Sequence, residues 1–182
     1  MFSGGYAATW VLENNLIKDN GIGDGQTHNI YFGREVVKAD FTNNTSIIGA
    51  AAASKLRATG MGGGGHAYKC RANISTFNGG YGRAGETVVD LPDGSTQTVN
   101  IKGMTMEKNA GDASHRFLDY AVESGVQGVV GVILSGCNFV LHCTGPFVQV
   151  GNSGSIVFDS TNTWHGNKPT ANGMGTITGL PT

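Results

Sequence analysis

The stretch GHAYKCRA at residues 65–72 decides the fold, and it has two partners elsewhere in the chain. These are HNIYFG at 28–33 and VVDLPDG at 88–94, and each is a short β-prone run that begins or ends on charged or imidazole side chains. Asn-rich runs accompany them, such as VLENNLI at 11–17 and VKADFTNNTSI at 37–47. A recurring order of strand, turn, Asn pair and strand is typical of a solenoid, in which equivalent positions of successive coils stack.

The composition predicts one turn-rich β domain over residues 1–182. The chain has 30 glycines and only 4 prolines, and the glycines alternate with Val, Ile, Thr and Phe without a collagen period. This is typical of β structure with many turns. The formal net charge is −1, and Lys and Arg are scattered. The sequence therefore has no basic patch for nucleic acid.

The ends of the chain, its longest apolar run and its cysteines indicate the environment in which the protein works. The apolar run at 129–137 is too short to span a membrane. The N-terminus lacks the charged and apolar regions of a secretory signal. It also lacks a polar cap, which predicts a truncated chain or one that stacks on another polypeptide. The three cysteines, Cys70, Cys137 and Cys143, are predicted to be buried thiols, with a Cys137–Cys143 bridge as the alternative.

Short strands separated by Gly, Asn and Asp are predicted along the whole chain. They lie at 9–13, 28–32, 36–41, 66–72, 86–91, 97–101, 104–107, 116–121, 129–134, 138–142, 146–150, 155–158 and 175–178. Asn15, Asn44 and Asn78 are predicted corners, because Asn tolerates left-handed backbone geometry and its amide can bond adjacent coils. Stacked amides of this kind can form an Asn ladder. A two-layer sandwich is the rival fold, but it does not explain the Asn pairs.

One segment departs from the strand pattern. Residues 50–60 are the best helix candidate and end on Gly60, as a C-cap would. We interpret residues 48–64 as an insertion between coils. In the coils themselves, apolar side chains are expected to fill a narrow interior, including Ile30, Val88, Phe117, Val148 and Ile156.

Three longer segments carry a family resemblance. VLENNLIKDNGIGDGQTHNIYFG (11–33), GHAYKCRANISTFNGG (65–80) and ETVVDLPDG (86–94) resemble right-handed parallel β-helix proteins related to pectate lyases. Within them they are similar to a bacterial group with HNIY, GHxxKSRA and YEIDLPNGG-like motifs. The resemblance covers about residues 9–165. Cys70 replaces the usual Ser of that group, and Thr87-Val88 replaces Tyr-Glu.

The resemblance implies a fold and a range of activities. The fold is an all-β, single-stranded right-handed parallel β-helix, for which we predict about six coils. The superfamily acts on acidic polysaccharides by β-elimination, epimerisation or hydrolysis, and it includes phage tailspikes. The chain is therefore expected to be either a carbohydrate-active or carbohydrate-binding module, or a structural or receptor-binding part of a phage particle without activity. These roles place it outside the cell, in the periplasm or in a virion.

Chemistry on a uronate polymer requires a cation for the carboxylate, a base for the C5 proton and an acid for the leaving oxygen. The motifs supply suitable side chains in His28, Tyr31, His66, Lys69, Arg71 and Asp90. Lys69 and Arg71 share a face of their strand because side chains alternate, and His66 is out of parity with them. We expect Lys69 and Arg71 to bind a carboxylate.

The remaining assignments keep alternatives open. His28 or His66 is expected to move a proton. The structural alternative is that both histidines pack at coil corners and that Lys69 and Arg71 pair with Asp90. No cofactor is predicted. The segment at 19–28 fails the EF-hand pattern, and Ca²⁺ held by carboxylates of several coils is an open alternative. The predicted partners are acidic polysaccharide and other chains of an assembly.

Overall fold

All regular structure in the described residues is β. The computed structural model describes residues 2–4, 9–18, 29–32, 36–48, 67–70, 74–85, 87–91, 99–110, 116–120, 131–151, 154–173 and 175–182. No helix occurs among them, and so none that is long and apolar enough to cross a bilayer. The predicted helix at 50–60 lies outside the described residues.

The strands are short. In chain order they are β1 (Phe2–Gly4), β2 (Thr9–Glu13), β3 (Leu16–Lys18), β4 (Ile30–Phe32), β5 (Lys38–Thr42), β6 (Thr45–Ile48), β7 (Tyr68–Cys70), β8 (Ile74–Asn78), β9 (Tyr81–Ala84), β10 (Val89–Leu91), β11 (Val99–Lys102), β12 (Thr105–Lys108), β13 (Leu118–Tyr120), β14 (Val132–Ser135), β15 (Asn138–Leu141), β16 (Val148–Val150), β17 (Ser155–Phe158), β18 (Thr163–Gly166), β19 (Ala171–Gly173) and β20 (Thr176–Thr178).

The strands form three sheets, which the chain visits in rotation. Sheet A has the order β1-β4-β7-β10-β13-β16-β19, and sheet B has the order β2-β5-β8-β11-β14-β17-β20. Sheet C has the order β3-β6-β9-β12-β15-β18. The pairings within these sheets are parallel, so six successive triplets and a final pair of strands stack in register.

The three motif-bearing segments are neighbours in sheet A, as predicted. Strand β4 pairs with β7 through Ile30↔Tyr68, and β7 pairs with β10 through Tyr68↔Val89. Both pairings are parallel. The sequence motifs HNIY, GHAYKCRA and VVDLPDG therefore mark consecutive strands of one sheet.

Like side chains stack on the buried faces. In sheet B one column is apolar throughout: Leu12, Phe41, Phe77, Ile101, Leu134 and Phe158, all at most 4% exposed. The five predicted interior residues are each 0% exposed: Ile30, Val88, Phe117, Val148 and Ile156. The three cysteines are buried thiols, as expected, and the alternative Cys137–Cys143 bridge is not formed.

Aromatic rings form two clusters in the core. In the first, Phe41 stacks on Phe77 with ring centroids 4.6 Å apart, and Tyr68 meets both rings edge-on. In the second, Phe139 stacks on Trp164 at 4.2 Å and lies 4.6 Å from Phe117. Offset and edge-on geometries are those that aromatic pairs prefer. Each cluster joins rings from two successive strand triplets and thus ties them together.

The corner between sheets B and C uses one backbone conformation repeatedly. Its first residue has positive φ in five successive triplets: Asn14 (56°), Asn43 (50°), Gly79 (64°), Gly103 (62°) and Gly136 (60°). Only Gly and, less readily, Asn adopt this conformation at low cost. The amide N–H of Asn43 donates to Asn78 O at 2.8 Å, and that of Gly79 donates to Lys102 O at 2.7 Å. These bonds join each corner to the next triplet.

The residue that directly precedes the sheet C strand forms side-chain hydrogen bonds to the preceding triplet where it is Asn44 or Asn162. Asn44 donates from Nδ2 to Leu12 O at 2.7 Å and accepts the Asn15 N–H at 3.0 Å. Asn162 makes the same pair of bonds four triplets later: Nδ2 donates to Leu134 O at 2.9 Å, and Oδ1 accepts the Cys137 N–H at 2.9 Å. The repeated bonding indicates that Asn44 and Asn162 hold equivalent positions, although the connection from β17 to β18 is longer than that from β5 to β6.

The Asn pattern of the sequence is only partly the corner pattern of the fold. The amides of Asn15 and Asn44 do contact, at 2.9 Å between Nδ2 and Oδ1. Asn78, however, is the last residue of β8 and pairs with Thr42 rather than with Asn44. Gly80 takes the position equivalent to Asn44, because the residue after Gly80, Tyr81, pairs with the residue after Asn44, Thr45. The prediction of a corner at Asn78 was therefore wrong, because Asn78 is the last strand residue and the corner begins at Gly79.

Truncation of Phe117 tests the core. Phe117 is fully buried and touches rings of Phe139 and Phe158, so Phe117→Ala should lower the free energy of unfolding by about 3–5 kcal/mol. Urea denaturation followed by circular dichroism measures the change. Val157→Ala, at a position that is 40% exposed, is the matched control and should shift stability by less than about 1 kcal/mol. Equal effects of the two variants would contradict the assigned faces.

Removal of one corner amide tests the register. Asn44→Ala leaves Leu12 O and the Asn15 N–H without their bonds at a buried site and should cost about 1–3 kcal/mol. Asn78→Ala removes the same side chain from an exposed strand end and should cost less than about 0.5 kcal/mol. Thermal melts of both variants decide between the positions, and a larger loss for Asn78→Ala would overturn the corner assignment.

Candidate functional site

Three of the predicted site residues lie in one column across sheet A. Tyr31 pairs with Lys69, and Lys69 pairs with Asp90, on three consecutive parallel strands. The same column continues through Asp119, Gln149 and Asn172. The other predicted residues, His28, His66 and Arg71, lie outside the described residues.

Strand alternation places this column on the face away from the core. Val89 and Leu91 flank Asp90 and both belong to the hydrophobic core. Because successive side chains of a strand point to opposite faces, Asp90 projects to the outer face of sheet A. Asp119 projects the same way, since the core residues Leu118 and Tyr120 flank it.

The outer face is recessed at the two aspartates. Asp90 is only 2% exposed and Asp119 only 5%, although both lie opposite the core. Tyr31 and Gln149 are half-buried, and Asn172 at the far end of the column is exposed. The column therefore runs from a closed centre, on β10 and β13, to more open flanks.

Asp119 is held by two neighbours. The Thr87 hydroxyl donates to its Oδ2 at 2.7 Å, and Arg116 Nε lies 3.4 Å from its Oδ1. Arg116 also donates from Nη1 to Gln149 Oε1, so its guanidinium bridges two adjacent positions of the column. The hydrogen bond from Thr87 and the ion pair with Arg116 together orient the carboxylate.

The column combines the side-chain types that acid–base chemistry needs. Asp90 and Asp119 are direct neighbours on parallel strands, which lie roughly 4.8 Å apart. Like charges in such a position repel each other, and a nearby cation offsets the repulsion. Lys69 holds the position beside Asp90, and Arg116 contacts Asp119. The arrangement can bind an anionic group through its cations and exchange a proton through its carboxyl groups.

A metal-ion site is not formed by the described part of the chain alone. No group of three His, Cys, Asp or Glu side chains suited to a metal occurs among those residues. Asp90 and Asp119 offer two carboxylates in adjacent strands, which is fewer ligands than Ca²⁺ takes. Asp19 and Asp24, the carboxylates of the 19–28 segment, lie outside the described residues.

Asp119 and Gln149 of this column were not among the predicted site residues, and neither were Thr87 and Arg116, which contact Asp119. A four-residue pattern could have identified the column: NIYF (29–32), AYKC (67–70), VVDL (88–91), FLDY (117–120) and FVQV (147–150) each have a third residue with a polar group between two core residues. The uneven spacing of these segments hides the pattern from a search at a fixed period.

Comparison with protein-family models, with curated protein sequences and with solved structures found no match to this chain. The resemblance to pectate-lyase-like proteins therefore stays a prediction, carried by the motifs alone. The same holds for the assignment of residues 1–182 to a single domain.

Proposed function

We propose that the chain is a single-stranded right-handed parallel β-helix, with each triplet of strands forming one coil. The rotation of the chain through sheets A, B and C supports this architecture, since consecutive triplets pair strand by strand. Six complete triplets and a final pair agree with the expected number of about six coils. Such a solenoid presents long, regular outer faces on which side chains repeat along the stacking axis.

The outer face of sheet A is the surface that we assign to function. The module takes an acidic polysaccharide along the column that contains Tyr31, Lys69 and Asp90. The observation that carries this proposal is the in-register placement of those three residues on consecutive strands. They come from separate sequence motifs and supply a phenol, a cation and a carboxyl group at adjacent positions.

Each residue has a role that follows from its chemistry. Lys69 neutralises a uronate carboxylate, with Arg71 as its partner in the same motif. Asp90, at a closed part of the face, exchanges the proton, and Tyr31 serves the leaving oxygen. His28 and His66 are the alternative proton carriers. Asp119, held by its ion pair with Arg116, provides the second carboxylate near the reacting sugar.

Two variants test these roles separately. Lys69→Ala should weaken retention of an acidic polymer about tenfold or more, because it removes a charge-assisted contact. Asp90→Asn should keep the binding and lower turnover by about 10²–10⁴, the usual contribution of acid–base catalysis. Affinity electrophoresis in gels with alginate, pectate or glycosaminoglycan measures retention. The absorbance rise at about 235 nm from unsaturated uronate measures elimination, and the reducing-end and epimer content of the products measure hydrolysis and epimerisation.

Lys102→Ala is the matched control, since it removes an exposed cation from the outer face of sheet B. It should leave retention and turnover unchanged. Retention that survives Lys69→Ala but fails with Lys102→Ala would move binding off sheet A. A parent chain that neither retains nor alters any of these polymers would overturn the proposal in favour of a structural or receptor-binding part of a phage particle.

A further inference from the structure

The outer face of sheet C carries a second polar cluster, remote in the fold from the column in sheet A. Strands β9 and β12 pair in parallel through Tyr81↔Thr105 and Arg83↔Glu107. Gly82 and Met106, which lie between these pairs, are buried toward the core. Tyr81, Arg83 and Glu107 therefore share the outer face.

The carboxylate of Glu107 is bound by neutral donors. The Tyr81 hydroxyl donates to Oε2 at 2.7 Å, and Asn109 Nδ2 donates to Oε1 at 3.1 Å. Both oxygens are thus occupied, although Arg83 holds the adjacent position on the next strand. The donors that bind the Glu107 carboxylate are therefore Tyr81 and Asn109, and not the Arg83 guanidinium.

Arg83 is left with unused donors. Its Nε is buried and has no hydrogen-bond partner, and within the described chain its guanidinium forms neither an ion pair nor a hydrogen bond. A guanidinium has five N–H donors in a planar fork, and it is always charged. A buried donor without a partner is destabilising and is uncommon in folded proteins. Because the Nε is closed to solvent, a bound acceptor would meet the guanidinium at its two terminal Nη groups.

We propose that Arg83 forms a binding site for a carboxylate-bearing ligand on the outer face of sheet C. The planar fork of Arg matches the two oxygens of a carboxylate. The neighbouring Glu107 repels anions, and it repels a phosphate dianion more strongly than a carboxylate monoanion. The site therefore favours a singly charged carboxylate, of which a sugar acid is one source and a carboxylate of a peptide another.

The site is independent of the proposed function, since it lies on another sheet. Loss of Arg83 should leave polymer retention along sheet A unchanged, and Lys69→Ala should leave the Arg83 site intact. A sugar acid is a suitable probe in the Lys69→Ala variant, because this variant should no longer bind the sugar acid on sheet A.

The Arg83 Nε–H group is itself the reporter. Its ¹H–¹⁵N cross-peak, assigned by its disappearance in Arg83→Lys, is followed during titration with sodium glucuronate in the Lys69→Ala background. We expect a saturable shift, and about tenfold or greater weakening by calorimetry in Arg83→Ala. Glu107→Gln should tighten binding a few-fold, because it removes a repelling charge. A role of Arg83 in stability alone would not produce that gain.

Lys18→Ala is the matched control, because Lys18 is an exposed cation on the same outer column of sheet C. It should change the affinity by less than about twofold. Titrations with sodium acetate and with a peptide that has a free C-terminal carboxylate show which source of carboxylate the site binds. A saturable shift of the Arg83 cross-peak with either probe supports the site. A linear shift equal to that caused by sodium chloride, or tighter binding of phosphate or sulfate than of glucuronate, would overturn the proposal.

Discussion

The in-register stacking of parallel strands is the constraint on which the rest of this structure depends. Each strand triplet places its residues directly above their counterparts, so a core position can be filled only if the next triplet offers a side chain that packs on it. The column from Leu12 through Phe41 and Phe77 satisfies this condition. A slip by one residue would turn that column outward and bring the polar one inward. The positive-φ corners at Asn43 and Gly79 fix the register, because their N–H groups bond the following triplet.

The stacking also explains why a buried lysine is tolerated. Lys108 is 0% exposed and lies on the inner side of sheet C, in the column of Ala84 and Leu141. Its ammonium donates to Ala84 O at 2.7 Å, a carbonyl of the preceding triplet. The small side chain of Ala84 leaves room for the lysine stem, and the carbonyl satisfies part of the charge. Buried polar groups in this interior thus serve as bonds between triplets, as the amide of Asn29 does when it donates to Ile17 O of the preceding triplet at 3.2 Å.

The sequence predicted the fold best where a strand has β-branched or aromatic residues between clear turns. Strands β2 and β17 were placed at their observed bounds. Strands such as β3 (Leu16–Lys18) and β9 (Tyr81–Ala84) were missed, because they follow the corner at once and their Asn or Gly neighbours read as turns. For the site, charged motifs identified Tyr31, Lys69 and Asp90. Asp119 was not selected, since only the pairing of β10 with β13 brings it beside Asp90. Such proximity depends on the register between strands. A single sequence predicts that register poorly when the number of residues between equivalent strands varies.

The outer column of sheet A that contains Asp90 and the outer column of sheet B that contains Asp40 differ in the charged side chains that they carry. The sheet B column consists mainly of Val11, Thr76, Asn100, Ile133 and Val157, side chains that suit a solvent-facing β surface. Its one carboxylate is Asp40. Burial raises the pKa of Asp40, but hydrogen bonds from Lys38 and Thr76 outweigh this effect and lower it. Sheet A instead stacks two aspartates at positions almost closed to water, where repulsion and desolvation both oppose folding. At Asp119 the Thr87 hydrogen bond and the Arg116 ion pair offset part of this cost, and the proposed site on sheet A would account for the retention of both carboxylates.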